Sequence, residues 1–445
     1  MSLTVPGSTN DLARRTVRRV AGRLMPFLLL LYVVAYLDRV NVGYAKLRMT
    51  DDLGFNDAVF GLGAGLLFIG YFLLEIPGTI LVESWSARSW FARIMVSWGL
   101  CAAACGFIHG RFAFYTLRLL LGACEAGFAP GVVVYLTHWF LRQHRGRAMA
   151  LFLIGIPLSG VVGAPVSGFL LHVRWLGLAG WRWVFIAEGL PAILLGFVTY
   201  FYLTDSPREA RWLPTGERQW LQAELMREEP APARYPGFLK ALAGLGRLVP
   251  GALARAPVRL LMVTYFFGLT AHYGLTIWMP TVIKESGQLT DQQVMGLAAI
   301  AYFTALVAML LAGWSSDRTG ERRWHTAGPV WAGAVGLAGA VAFKGHLPLV
   351  VPFLCLAASG LTTFISGLWS LITSRVSGRA GAVAVGLINS TGNLGGFAGP
   401  YAMGLLEKAT GTATAGLIYF VAAAILAGAL TLCVDLKRLG EVGAL

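Results

Sequence analysis

Apolar runs of about 18 to 25 residues follow one another along the whole chain, separated by short polar breaks. A helix needs roughly 20 such residues to cross about 30 Å of hydrocarbon, so the pattern predicts membrane-spanning helices. Twelve are predicted, near 24–44, 59–82, 91–108, 114–140, 146–172, 183–203, 259–282, 294–314, 326–343, 348–370, 381–405 and 413–433. One interval breaks the pattern. Residues 205–258 include most of "TDSPREARWLPTGERQWLQAELMREEPAPARYPG", with prolines, both charge signs and a short amphipathic helix, and read as a cytoplasmic linker between two halves. The expected division is a tail over 1–23, a six-helix bundle over 24–204, the linker over 205–258, a second six-helix bundle over 259–434 and a tail over 435–445. The expected fold class is an all-α membrane protein with twelve transmembrane helices in two bundles around a central cavity.

Composition agrees with this reading. Of 445 residues 56% are hydrophobic and only 13% charged, with a mean hydropathy of +0.65, too little polar surface to cover a soluble domain. A formal net charge of +14 would suit a nucleic-acid partner, so the placement of the bases decides. Of the 36 Lys and Arg, 26 fall in one set of alternate loops and the tails, eight in the other set, and Arg39 and Arg118 inside spans. That asymmetry is the mark of cytoplasmic loops; it places both termini on the cytoplasmic side and excludes a nucleic-acid footprint. No cleavable signal peptide precedes the first span. The segment "LARRTVRRVAGRL" before it reads either as an amphipathic helix on the inner surface or as a basic tail that fixes orientation. All five cysteines fall in predicted spans; Cys101 and Cys105 share a helix face with no His or acid beside them, so neither metal nor cofactor is expected.

The halves repeat each other. Glu83 and Arg88 follow the second span as Asp317 and Arg322 follow the eighth, and Gly146-Arg147-Ala148 opens the fifth span as Gly378-Arg379-Ala380 opens the eleventh. Arg88 to Arg147 spans 59 positions and Arg322 to Arg379 spans 57. A duplicated six-span unit places a cavity between two bundles near the bilayer midplane, the geometry of alternating access.

The stretch "GWSSDRTGERRW", Gly313 to Trp324, closely resembles the loop signature of the major facilitator superfamily, in which a Gly starts the turn, an acid caps the next helix and bases lock the cytoplasmic face. The resemblance marks Gly313, Asp317, Arg318 and Arg322, with Glu83, Arg88, Arg147 and Arg379 as the matching positions, as the conformational gate. The first copy, "GTILVESWSARSW", has Ser84 where a base is common. Within the superfamily the chain is similar to the anion:cation symporter family, which includes permeases for tartrate, phthalate and galactonate. The matching segments are "YLDRVNVGYA", "LLEIPG", "RLLLGACEAGFAPG", "WRWVFIAEGLPA", "YGLTIWMPTVIK" and "GLINSTGNLGGFAGP". In the tenth span, "LWSLITSRV" keeps Trp369 but lacks the proline of many members.

Asp38, Arg39, Arg118 and Glu125 lie deep in spans of the first half, where each charge costs about 2.5 to 3.5 kcal/mol on insertion scales. From the 1.5 Å rise, Asp38 and Arg118 sit at similar height, and Glu125 lies within reach of Arg39. Buried salt bridges that only fix helix packing are one reading. The other makes Arg39 the anchor of a substrate carboxylate, through two parallel bonds, with Asp38 and Glu125 as proton sites beside Arg118. Tyr36, Tyr71, Tyr273, Trp278, Trp369, Asn389, Ser390 and Asn393 are candidates for the cavity lining, with helix packing or interfacial anchoring as the alternative for each Tyr or Trp. Glu75 and Glu188 read as structural acids.

The function expected is proton-coupled uptake of a small organic acid anion by a functional monomer in the lipid bilayer. A proton-independent facilitator or exchanger is a second reading. A membrane-embedded enzyme is disfavoured, since the chain holds no His-Glu-x-x-His, no Gly-x-Ser-x-Gly and no clustered His.

Overall fold

The computed structural model describes residues 8–84, 86–228, 238–376, 378–435 and 439. Eight helices come before the linker: α1 (Ser8–Leu53), α2 (Asp57–Ser84), α3 (Ala87–Cys105), α4 (Arg111–Glu125), α5 (Phe128–Thr137), α6 (Arg142–Leu153), α7 (Gly155–Leu170) and α8 (Gly180–Tyr202). The linker region adds α9 (Thr215–Glu228) and α10 (Phe238–Ala254). Six follow: α11 (Ala256–Glu285), α12 (Asp291–Thr319), α13 (Trp324–Ala342), α14 (Leu347–Thr373), α15 (Gly378–Thr410) and α16 (Thr414–Cys433).

Nine segments among the described residues are long and apolar enough to cross a membrane. The remaining predicted crossings coincide with α3, α13 and α15. These helices are rich in Gly or Ala, because close helix contact favours small side chains. At Gly336 of α13 a Cβ would overlap the backbone of Ala357 in α14. Two predicted spans are each built from two helices. The fourth breaks between α4 and α5, where Gly127 takes the left-handed φ of 84°, a conformation that glycine adopts without strain. The fifth breaks between α6 and α7 at Ile154.

The stretch before the first apolar run is neither a separate surface helix nor a free tail. It forms the opening turns of α1, with Val20 and Leu24 buried and Arg19 paired to Glu217 of α9 at 2.7 Å.

Six crossings on either side of the linker pack as two bundles. They meet along α2 against α15, α7 against α12, and α1 against α11. At the end remote from the termini, a Cβ on Gly43 would overlap the Ile277 carbonyl, and one on Gly61 would lie 3.2 Å from Gly404 and overlap the Pro400 carbonyl region. Arg48 of α1 closes the same end with Asp291 of α12 at 2.6 Å, and Lys284 meets that carboxylate at 3.0 Å. Near the termini, Arg88 lies 3.6 Å from Asp205, and the Asp205 carboxylate also accepts from the Arg88 backbone N–H at 2.9 Å and the Ser86 hydroxyl at 2.8 Å.

Candidate functional site

Arg39 stands about two-thirds of the way along α1, with α2, α4 and α11 around it. The residue is 6% exposed, and its guanidinium has tyrosine and phenylalanine rings on several sides: Tyr71 at 5.0 Å, Tyr36 at 5.7 Å, Tyr273 at 5.9 Å and Phe68 at 6.0 Å to the centroids. Such a cage holds a cation away from water without neutralising it. Nη1 donates to the Tyr273 hydroxyl at 2.8 Å, and Nη2 forms an ion pair with Glu125. Glu125 is the last residue of α4, so the turn at Gly127 fixes where its carboxylate points.

Asp38, the next residue along α1, looks elsewhere. Its carboxylate accepts from the Trp98 indole N–H of α3 at 2.6 Å and from the Asn41 amide at 3.2 Å. The expected contact with Arg118 is not made. Arg118, fully buried, donates only at 3.5 Å to the Ala64 carbonyl, and its Nε and Nη1 have no hydrogen-bond partner. Similar height in the membrane does not fix the direction around the helix axis, and a strong indole donor satisfies Asp38 first. Buried polar groups are rarely left without partners, which sets Arg118 apart from the paired Arg39.

The other candidates divide. Tyr36, Tyr71 and Tyr273 belong to the Arg39 cage, and Tyr36 Oη lies 2.8 Å from His272 Nε2. Sequence reasoning missed this buried histidine; as a lone His on an apolar face it carries no pattern. Trp369 donates to the Tyr265 hydroxyl at 3.0 Å and so braces α14 on α11. Trp278 packs at the remote seam, edge-on to Phe60 and under Lys46 Nζ at 4.0 Å, which makes it part of the closure between bundles. Asn389, Ser390 and Asn393 all donate to Glu75. Glu188 accepts from Ser167 at 2.5 Å.

The loop signature is rearranged. Gly313 lies inside α12, and the turn is made by Gly320 with φ 69°. The capping acid is Glu321, whose carboxylate accepts from the Trp324 N–H at 2.9 Å and from His325 Nδ1 at 3.0 Å. Burial raises the Glu321 pKa, but these donors prevail and hold it below the ordinary glutamate value. Asp317 pairs with Arg322 at 3.7 Å, Arg318 lies over Trp314 at 5.5 Å, and Arg147 is exposed. The side chains of Glu83 and Arg379 lie outside the described residues.

The family model described as Major Facilitator Superfamily matches residues 28–400. A protein of Agrobacterium vitis named "Putative tartrate transporter" is 42% identical over 435 residues, covering 98% of each chain. A "Quinolone resistance transporter" of Acinetobacter baumannii is 39% identical over 427 residues, covering 94% of each. Among solved structures, the partially occluded inward-open xylose transporter XylE of E. coli superposes with a TM-score of 0.71 at 13% identity, over 92% of this chain and 98% of that one.

Proposed function

The chain belongs to the Major Facilitator Superfamily and is a multi-pass membrane transporter rather than an enzyme, and from that premise we propose that it imports a small organic acid anion together with protons. The observation that carries the reading is the pairing of Arg39 with both Tyr273 and Glu125. The guanidinium is held as a two-pronged donor, the geometry that a carboxylate accepts through two parallel bonds. Tyr273 belongs to the second bundle and Glu125 to the first, so an anion seated here touches both. The tartrate in the name of the Agrobacterium vitis relative supports an organic acid, and a hydroxy acid in particular.

Coupling follows from charge. Asp38 and Glu125 with Arg39 and Arg118 sum to zero, in a region where uncompensated charge is costly. An arriving carboxylate competes with Glu125 for Arg39 and leaves the site with excess negative charge. A proton on Glu125 removes both difficulties: it frees the guanidinium and restores neutrality. A second anionic group on the substrate calls for a second proton, which Asp38 can hold while the Trp98 N–H still meets its other oxygen. Arg118, with donors unmet, stabilises whichever carboxylate remains ionised. Release to the cytoplasm reverses the order, and deprotonated Glu125 returns to Arg39. In this reading both termini face the cytoplasm, the membrane is a bacterial inner membrane, and one chain is the functional unit.

The substrate class is tested by thermal shift of the purified protein against tartrate, other hydroxy acids, aromatic acids and sugar acids, since a ligand bound only by the folded state raises stability by mass action. Stabilisation by carboxylates and none by their amides is the expected result. Equal stabilisation by the neutral amides would remove the carboxylate from the recognition scheme.

A further inference from the structure

The first bundle carries another buried carboxylate, one that anion binding at Arg39 leaves unexplained. Glu75 lies on α2, one turn beyond Tyr71 and its contact with Arg39. It is 1% exposed, and its oxygens face the other bundle. Oε1 accepts from Asn389 Nδ2, while Oε2 accepts from Ser390 Oγ at 2.9 Å and Asn393 Nδ2 at 3.2 Å. Three donors on α15 thus converge on one acceptor on α2.

The remainder of that seam is closed differently. Toward the remote end, Gly61 and Gly404 let the backbones of α2 and α15 touch, and a Cβ on Gly404 would overlap the Asp57 carbonyl. Glu75 is nine positions from the termini-side end of α2 at Ser84, and Asn389 is eleven from the start of α15 at Gly378. Both groups therefore sit roughly 14 to 17 Å in from that face, between it and the Arg39 cage.

We propose that Glu75 is a positioning residue of the transport cycle: its bonds to Asn389, Ser390 and Asn393 hold the bundles together below the Arg39 site and break each time the pathway opens toward the termini. A clamp within one bundle would fix packing only, whereas α2 and α15 belong to different bundles that must part. Hydrogen bonds to an ionised group are among the stronger ones in a protein, and a change of 1.4 kcal/mol is tenfold in a closed-to-open ratio. The bonds are numerous enough to favour closure and local enough to break in a single step. Three side chains, Glu75 read as a structural acid and Asn389 and Asn393 as an amide pair, thus become one device. It does not depend on which ion accompanies the substrate.

The test uses the full chain in lipid nanodiscs, with its five native cysteines replaced by alanine and spin labels at Gln143→Cys and Thr373→Cys. These positions are exposed at the termini-side ends of α6 and α14, and electron–electron double resonance reads the distance between them. Glu75→Ala should shift the distribution toward longer distances, changing the short-to-long ratio by at least about tenfold. Asn393→Asp, which sets a carboxylate against Glu75, should do the same. Glu75→Gln combined with Asn393→Asp should bring back the short distance, because an amide again faces a carboxylate; a merely structural defect would not be repaired that way. An unchanged distribution in Glu75→Ala and Asn393→Asp would overturn the proposal. If Glu75→Ala does not fold, Asn393→Asp decides alone by the same criterion.

Discussion

Arg39→Lys keeps the positive charge in the cage and removes the fork. In the structure the two terminal nitrogens point at two acceptors, the Tyr273 hydroxyl at 2.8 Å and Glu125. An ammonium on a flexible stem offers one compact point, so a bound carboxylate loses one of two charge-assisted bonds. Hydrogen bonds to charged groups contribute about 1.5–3 kcal/mol, which raises Kd by about 10- to 150-fold at 1.4 kcal/mol per decade. The planar contact with Tyr71 is weakened as well. The assay is calorimetric titration of the purified variant with the best binder from the organic-acid panel, supported by thermal shift. At a ligand concentration 100 times the wild-type Kd, binding stabilises the wild type by about 2.7 kcal/mol; a 100-fold weaker variant gains about 0.4 kcal/mol. A variant Kd within about threefold of wild type, roughly 0.65 kcal/mol, would refute the reasoning and assign the anion to another base, with Arg118 the first to examine.

Glu125→Gln removes the carboxylate that competes for Arg39. It should retain binding and substrate exchange across proteoliposomes while losing accumulation under an imposed proton gradient; intact accumulation would transfer the coupling role to Asp38. Double-mutant cycles should find a larger coupling energy for Asp38→Asn with Trp98→Phe than for Asp38→Asn with Arg118→Gln, because the indole bond of 2.6 Å is the direct contact; chemical denaturation measures both, and the reverse ranking would restore the ion pair. Gly43→Ala places a methyl against the Ile277 backbone of the other bundle and should disfavour closure at the remote end by about 1–3 kcal/mol, read as increased labelling of a cysteine introduced at that seam and as slower transport. Unchanged labelling would show that the seam relaxes around the methyl. Neutralising Glu321 with Glu321→Gln should weaken the N-terminus of α13 by about 0.3–1 kcal/mol near neutral pH, because the amide still accepts a bond but brings no charge to the helix dipole. Because the folded-state pKa is depressed, that difference is present above the ordinary glutamate range and should vanish as the pH falls through the lowered value.

Much of the fold was legible because span length and hydropathy are local properties. The break at Gly127 was not, since the chain stays apolar across it and only the backbone leaves the helical region; at Ile154 the backbone keeps helical angles. The pairing of Arg39 with Glu125 could be read from residue rise and helix polarity. The Asp38–Arg118 pairing fails on the same arithmetic, because rise gives depth and not azimuth, and Trp98 competes from a third helix. Glu75 and its partner Asn389 are 314 residues apart; the i, i+4 amide pair on α15 showed that a polar face existed but not what it met. Gly313 misled because the loop motif fixes the neighbourhood of the turn, whereas the left-handed φ falls on Gly320.

Proton-driven uptake is read without intermediates from wild-type protein in proteoliposomes. Labelled tartrate, or the tightest acid of the panel, is presented outside at lower pH than the lumen, with membrane potential clamped by potassium and valinomycin. Accumulation above the external concentration while the gradient lasts, abolished by a protonophore and absent when the two sides share one pH, is the expected result. Uptake that stops at equal concentrations, with the same rate whether or not the gradient is present, would contradict it and identify a facilitator.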